Sequence, residues 1–158
     1  MPVRTLSHFG ICVADPKRSI HFYRDLLGFE LVSHLQVDDP ASAKLIGLDP
    51  LELHSTFLER DGARIELLHY VSPGHEPDEV PRPMNRQGLT HMAMRVDDLA
   101  SLLVELQAAG VEILEESRIQ NPAFQSDVVY VLDPDGVRIE LIQLPGDPTQ
   151  AVGQPFDG

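Results

Sequence analysis

The sequence holds one cysteine, Cys12, so no disulfide can form within the chain. That absence suits a reducing compartment, and a cytoplasmic protein is the expectation. Basic residues are scarce too: 12 Lys and Arg stand against 25 Asp and Glu, a formal net charge of −13. A field of that sign repels phosphate backbones, so nucleic acid is not an expected partner. No stretch approaches the roughly 18 consecutive apolar residues of a membrane span, and no membrane partner is expected. The start, Met1-Pro2-Val3-Arg4-Thr5, has none of the apolar character of a secretory signal. What is present is a globular composition, 42% hydrophobic and 23% charged over 158 residues, enough chain for a sizeable core.

The chain repeats itself. Leu6-Ser7-His8-Phe9-Gly10-Ile11-Cys12-Val13-Ala14-Asp15 lies over Leu89-Thr90-His91-Met92-Ala93-Met94-Arg95-Val96-Asp97-Asp98, with Leu, a hydroxyl residue, His and Asp recurring in order. Farther on, Asp61-Gly62-Ala63-Arg64-Ile65-Glu66-Leu67 matches Asp135-Gly136-Val137-Arg138-Ile139-Glu140-Leu141 at every position but one. Residues 73–87 between the halves carry Pro73, Pro77, Pro81 and Pro83 and read as a connector. The expected organisation is one domain over 1–158: module one about 4–72, module two 88–144, and a polar, Gly/Pro-rich tail over 145–158.

Within module one, Leu6 to Val13 is a short strand ended by Asp15-Pro16. Pro16 to Leu27 places Ile20, Tyr23, Leu26 and Leu27 on one helical face, with Gly28 as the left-handed C-terminal residue. Phe29–Leu35, Leu53–Glu59 and Arg64–Tyr70 read as strands, the last two joined at Asp61-Gly62, a strong hairpin signal. A short helix over Ala43–Leu48, capped from Ser42, is expected in the intervening segment. Module two gives Leu89–Val96, Leu99–Ala109, Val111–Glu115, Val128–Leu132 and Val137–Leu144 in the same order. The unit is βαβββ, and the class is α+β.

The chemistry concentrates in His8, Glu66, His91 and Glu140. Each glutamate sits mid-strand between apolar neighbours, and a carboxylate there is costly to bury unless it is paired or binds a metal. A lone strand His is ordinarily a hydrogen-bonded structural residue, and a lone strand Glu an edge group facing water. Here both types recur at the same step of a repeat. Two neutral imidazoles and two carboxylates balance a divalent charge, and this nitrogen and oxygen set suits Zn, Ni, Co, Mn or Fe(II).

These features resemble the vicinal oxygen chelate superfamily, which includes glyoxalase I, methylmalonyl-CoA epimerase, extradiol dioxygenases and bleomycin- or fosfomycin-resistance proteins. The resemblance covers about residues 4–144. It rests on His8 in Leu-Ser-His-Phe-Gly-Ile, on Phe22-Tyr23-Arg24-Asp25-Leu26-Leu27-Gly28-Phe29, on His91 in Leu-Thr-His-Met-Ala, and on Asp133 to Glu140. It implies two tandem βαβββ modules forming a cupped mixed sheet around a metal site, closed within one chain or across a homodimer. It further implies a small-molecule substrate that offers two adjacent oxygens to the cation.

The set His8, Glu66, His91 and Glu140 resembles the ligands of glyoxalase I. This implies a lyase or isomerase working through a metal-stabilised enediolate or enolate, in which a ligand glutamate moves the proton. Extradiol Fe(II) dioxygenases use a His, His, Glu subset, here His8, His91 and Glu140, with a tyrosine ten residues before the glutamate, here Tyr130. Tyr130 also reads as a β-favoured aromatic filling a strand slot. An epimerase looks to need a further glutamate, for which Glu52 and Glu59 are candidates by location. A drug-binding resistance protein is the non-enzymatic alternative. Arg82 and Arg86 in the connector could meet an anionic substrate. His21, His34, His54, His69 and His75 have no spacing partner. Cys12, Met92 and Met94 read as core.

Overall fold

The computed structural model describes residues 2–146. The chain divides into two compact units, with the boundary between Asp78 and Glu79 inside the expected connector. The polar tail beyond Gly146 lies outside the described residues.

Unit one runs β1 (Phe9–Cys12), α1 (Pro16–Ile20), a π-helical turn (His21–Leu26), β2 (Glu30–Val37), α2 (Pro40–Ile46), β3 (Glu52–Arg60) and β4 (Ala63–Ser72). Unit two runs β5 (His91–Arg95), α3 (Leu99–Ala108), β6 (Ile113–Asn121), a 3-10 turn (Pro122–Phe124), β7 (Ser126–Leu132) and β8 (Arg138–Gln143). Each unit is a four-stranded mixed sheet, ordered β1-β4-β3-β2 and β5-β8-β7-β6. In both, the first strand lies parallel to the last and the other pairs are antiparallel. The α+β class and the tandem βαβββ modules are therefore those the repeat predicts.

The aspartates that recur in the repeat start the helices. Asp15 accepts from the amides of Lys17 and Arg18, and Asp98 from that of Ser101, satisfying donors that a helix N-terminus leaves open. The first helix is not regular throughout. Its second half widens to i→i+5 bonding, with Leu27 N–H donating to the Phe22 carbonyl at 3.1 Å. The wider turn shifts the buried stripe, so Phe22 enters the core beside Tyr23 and Leu27 while Ile20 and Leu26 stay half-exposed. Gly28 then takes φ +72, and a Cβ there would meet the Arg60 guanidinium at 2.7 Å. Glycine takes that left-handed conformation without strain.

On its core side, unit one buries Val13, Leu58, Ile65 and Leu67; unit two buries Leu103 and Leu106 of α3 with Val129, Val131, Ile139 and Leu141 of the sheet. Each such side chain contributes about 1.5–3 kcal/mol. Because strand neighbours alternate, burying Ile65 with Leu67 and Ile139 with Leu141 turns Glu66 and Glu140 to the opposite sheet face.

Several expectations change in detail. The short helix starts at Pro40, not Ala43, because Asp39 rather than Ser42 is the cap; Ser42 donates its hydroxyl to Asp39. The strand expected over 111–115 is Ile113–Asn121, whose polar run hides it from a period-two reading. A bulge there is filled by Ser117, whose hydroxyl donates to the Leu114 carbonyl at 2.6 Å and accepts the Tyr130 amide at 3.0 Å. Cys12 is exposed rather than core, since Val13 is the residue that alternation sends inward. Met92 and Met94 are half-buried and pair with core Ile139 and Leu141.

Candidate metal centre

Each unit brings its own histidine and glutamate together. β1 lies beside β4 with Gly10 opposite Glu66, and β5 beside β8 with Ala93 opposite Glu140. His8 stands one residue before β1 and His91 opens β5, so both sit at strand starts rather than inside the strands. His8 Nε2 lies 3.1 Å from Glu66 Oε2, and His91 Nε2 lies 3.1 Å from Glu140 Oε2.

The other ring nitrogen is held in the same way twice. Ser7 Oγ is 2.9 Å from His8 Nδ1, and Thr90 Oγ1 is 2.8 Å from His91 Nδ1. A partner on Nδ1 fixes the ring and leaves Nε2 facing the carboxylate, the outer-shell arrangement that metal-binding histidines use. The hydroxyl before each histidine is visible in the repeat, though its role is not.

An aromatic ring closes each pair. Phe57 lies opposite Glu66 and Tyr130 opposite Glu140 in strand register. The Phe57 ring meets His8 edge-on at 5.2 Å, and the Tyr130 ring meets His91 edge-on at 5.6 Å. Burial raises the Tyr130 phenol pKa, the Glu140 charge raises it further, and Arg138 opposes both. The phenol thus stays protonated at neutral pH, able to donate a hydrogen bond. Ser55, which sequence reasoning misses, donates its buried hydroxyl to Glu66 Oε1 at 2.5 Å. No sequence signal marks it, because Ser55 does not recur in the repeat.

Within each pair the imidazole and carboxylate stand at a separation that suits a direct contact and equally a shared cation. Two donors sharing a first-row ion at about 2.0–2.2 Å stand about 2.9–3.5 Å apart, and each observed pair is separated by 3.1 Å. Among the described residues, no group of three or more His, Cys, Asp or Glu is gathered to hold a metal ion, so the four candidates stand as two pairs.

The remaining candidates fall elsewhere. Glu59 is bound by the Arg64 guanidinium, and Glu52 lies 3.9 Å from His54 on the sheet face away from Glu66. Arg82 donates to the carbonyls of Leu89 and Gln87, and Arg86 pairs with Glu79 at 3.2 Å. His34, His54 and His69 do have partners: they form a row across β2, β3 and β4, with ring centroids 5.6 and 6.1 Å apart. Sequence spacing does not show this, because cross-strand register makes the contact.

Tandem βαβββ modules, each with a histidine and a glutamate on neighbouring first and last strands, define a protein of the vicinal oxygen chelate fold. Residues 5–141 match the Glyoxalase/Bleomycin resistance protein/Dioxygenase superfamily, and the chain belongs to it. It is 30% identical to the uncharacterized protein YaeR of Escherichia coli strain K12, over 89% of this chain and 97% of that one. It is also 30% identical to a probable lactoylglutathione lyase of Synechocystis, over 87% of this chain and 94% of the relative. A solved glyoxalase family protein from Bacillus cereus superposes with a TM-score of 0.79 at 20% identity, covering 92% of this chain and 99% of that chain. No helix among the described residues is long and apolar enough to cross a membrane.

Proposed function

We propose that the protein is a divalent-metal-dependent lyase or isomerase of glyoxalase type, moving a proton between adjacent carbons of a small substrate with two neighbouring oxygens. The observation that carries this reading is the duplicated pair, His8–Glu66 and His91–Glu140, with the same 3.1 Å separation and the same hydroxyl support. Each His–Glu pair would supply one nitrogen and one oxygen to a cation of the Zn, Ni, Co, Mn or Fe(II) group. When bound, such a cation would supply positive charge that stabilises the negative charge developing on the substrate as the C–H proton leaves.

The chain's own residues supply the rest. A glutamate carboxylate takes the proton and returns it to the neighbouring carbon. The Tyr130 phenol, protonated at neutral pH as an ordinary tyrosine is, would donate to a substrate oxygen. Similarity to a lactoylglutathione lyase supports a thiohemiacetal of a 2-oxoaldehyde as the first substrate class to assay. An epimerase is less well supported, because Glu59 is occupied by Arg64 and Glu52 faces the other side of the sheet. A three-ligand extradiol oxygenase is the second reading, favoured by Tyr130 lying against His91 and opposite Glu140.

Elemental analysis of the purified chain beside His8→Ala and Glu66→Ala tests this. The expected result is about one divalent ion per chain, lost in both variants. Metal retained by Glu66→Ala favours the oxygenase, and wild-type protein that binds no metal overturns both enzyme readings.

A further inference from the structure

We infer that Ser55 is a positioning residue that fixes Glu66 as a permanent, single-oxygen metal ligand and thereby distinguishes it from Glu140. The inference rests on the proposed metal site and assigns its two carboxylates different freedom.

The geometry is specific. Ser55 lies on β3 opposite Leu68, diagonal to Glu66 across the β3–β4 pair. Its hydroxyl donates to Glu66 Oε1 at 2.5 Å, within the range of a hydroxyl–carboxylate bond. Glu66 Oε2 faces His8 Nε2. Each oxygen of Glu66 therefore has its own partner inside unit one: Oε1 is taken by Ser55, and Oε2 is presented to a cation. Ser55 is only 1% exposed, so water competes poorly for this bond, which low local polarity strengthens.

Unit two lacks the device. Tyr130 lies opposite Glu140 as Phe57 lies opposite Glu66, and two residues earlier the counterpart of Ser55 is Val128. Valine offers no donor. Among the described residues Glu140 is thus tethered, of the counterpart interactions, through the His91 contact alone, and it is the carboxylate with the greater freedom to move. A repeat that keeps both glutamates yet differs beside them divides their labour.

Thr and Val have the same shape, so Ser55→Thr and Ser55→Val differ from one another in the hydroxyl alone. The full-length protein is titrated with Co(II), reading the visible absorption band and the affinity by chelator competition. Ser55→Thr is expected to keep the wild-type band and affinity. Ser55→Val is expected to alter the band and lose about 10- to 100-fold in affinity, as supporting groups around metal ligands do. Val128→Ala, at the counterpart position, is expected to change neither. A purely structural role for Ser55 would move thermal stability and leave the Co(II) band of folded protein intact. Equal affinity and spectra for the Thr and Val variants overturn the inference while tight wild-type binding keeps the metal reading. Should both β-branched variants fail to fold, Ser55→Ala with wild-type spectra and affinity overturns it equally. Wild-type protein that binds no Co(II) takes down the metal reading and this inference together.

Discussion

Glu66 and Glu140 occupy the same place in two copies of one module, and their surroundings differ on the adjacent antiparallel strand. Beside Glu66 stand Ser55 and Phe57; beside Glu140 stand Val128 and Tyr130. The histidine contacts and their hydroxyl supports are alike to within 0.1 Å. The two modules thus share the His–Glu pairs and their hydroxyl partners, and differ in the neighbouring strand residues. In unit one the added hydroxyl holds a carboxylate; in unit two the added hydroxyl is a phenol available to a substrate. On the proposed function, that difference would make unit one the binding half and unit two the working half.

The largest expected effect separates the two glutamates directly. Gln keeps the shape and one ligand oxygen of each residue while removing its basicity. Assayed with a thiohemiacetal as the candidate substrate, Glu140→Gln is expected to lower turnover by about 10²–10⁴, the ordinary contribution of a positioned general base. Glu66→Gln is expected to act mainly through weaker metal binding, so saturating metal restores most of its turnover. Steady-state kinetics at several metal concentrations check this. A Glu66→Gln defect that saturating metal fails to relieve, beside an active Glu140→Gln, would reverse the assignment.

Much of this arrangement is legible in the amino-acid sequence. The repeat singles out His8, His91, Glu66 and Glu140, and alternation around Ile65 and Ile139 puts both glutamates on the sheet face away from the helix. Asp61-Gly62 announces its hairpin, and both turn residues indeed take positive φ. The same dipeptide at Asp135-Gly136 makes a different turn, closed by the Asp133 carboxylate accepting from the amides of Asp135 and Val137. What escapes a reading of the sequence shares one cause. Ser55 on Glu66, the row His34–His54–His69, and Ser117 inside the β6 bulge all depend on which residue of one strand faces which of another. Register is set by the whole sheet, and no local spacing encodes it.

The next contrast in size concerns stability. Each module carries an Arg–carboxylate pair across neighbouring strands: Arg64–Glu59 in unit one and Arg118–Asp127 in unit two. The first is 40% and 38% exposed, the second 27% and 16%. Solvent screening leaves the first pair worth under about 1 kcal/mol. The more enclosed pair, with two of the three Arg118 guanidinium nitrogens on Asp127 and Gln120 adding a third donor, is worth about 1.5–3 kcal/mol. Arg118→Ala should therefore cost more than Arg64→Ala in urea denaturation at neutral pH. Arg118 holds the Asp127 carboxyl below its usual pKa, against the opposing effect of burial. A lowered carboxylate stabilises fully above its ordinary value near ~3.9 and loses that contribution as pH falls through the lowered one. The gap between wild type and Arg118→Ala is expected to close with acid. A gap that is constant with pH would mean the arginine acts through packing.

The smallest expected effect comes from making the halves alike. Tyr130→Phe gives unit two the side chain that unit one already carries at Phe57, removing one hydroxyl and leaving the ring against His91. Metal content should not change, because the phenol is not among the proposed donors. Turnover of the thiohemiacetal should fall by less than about tenfold, the worth of a single uncharged hydrogen bond. The same variant assayed aerobically with a catechol weighs the second reading. Ring cleavage by the wild-type protein, lost by more than about a hundredfold in Tyr130→Phe, would make the phenol an acid–base group of an oxygenase. Tyr130 would then be the residue by which the second module sets the reaction, with Glu140 remaining only a ligand.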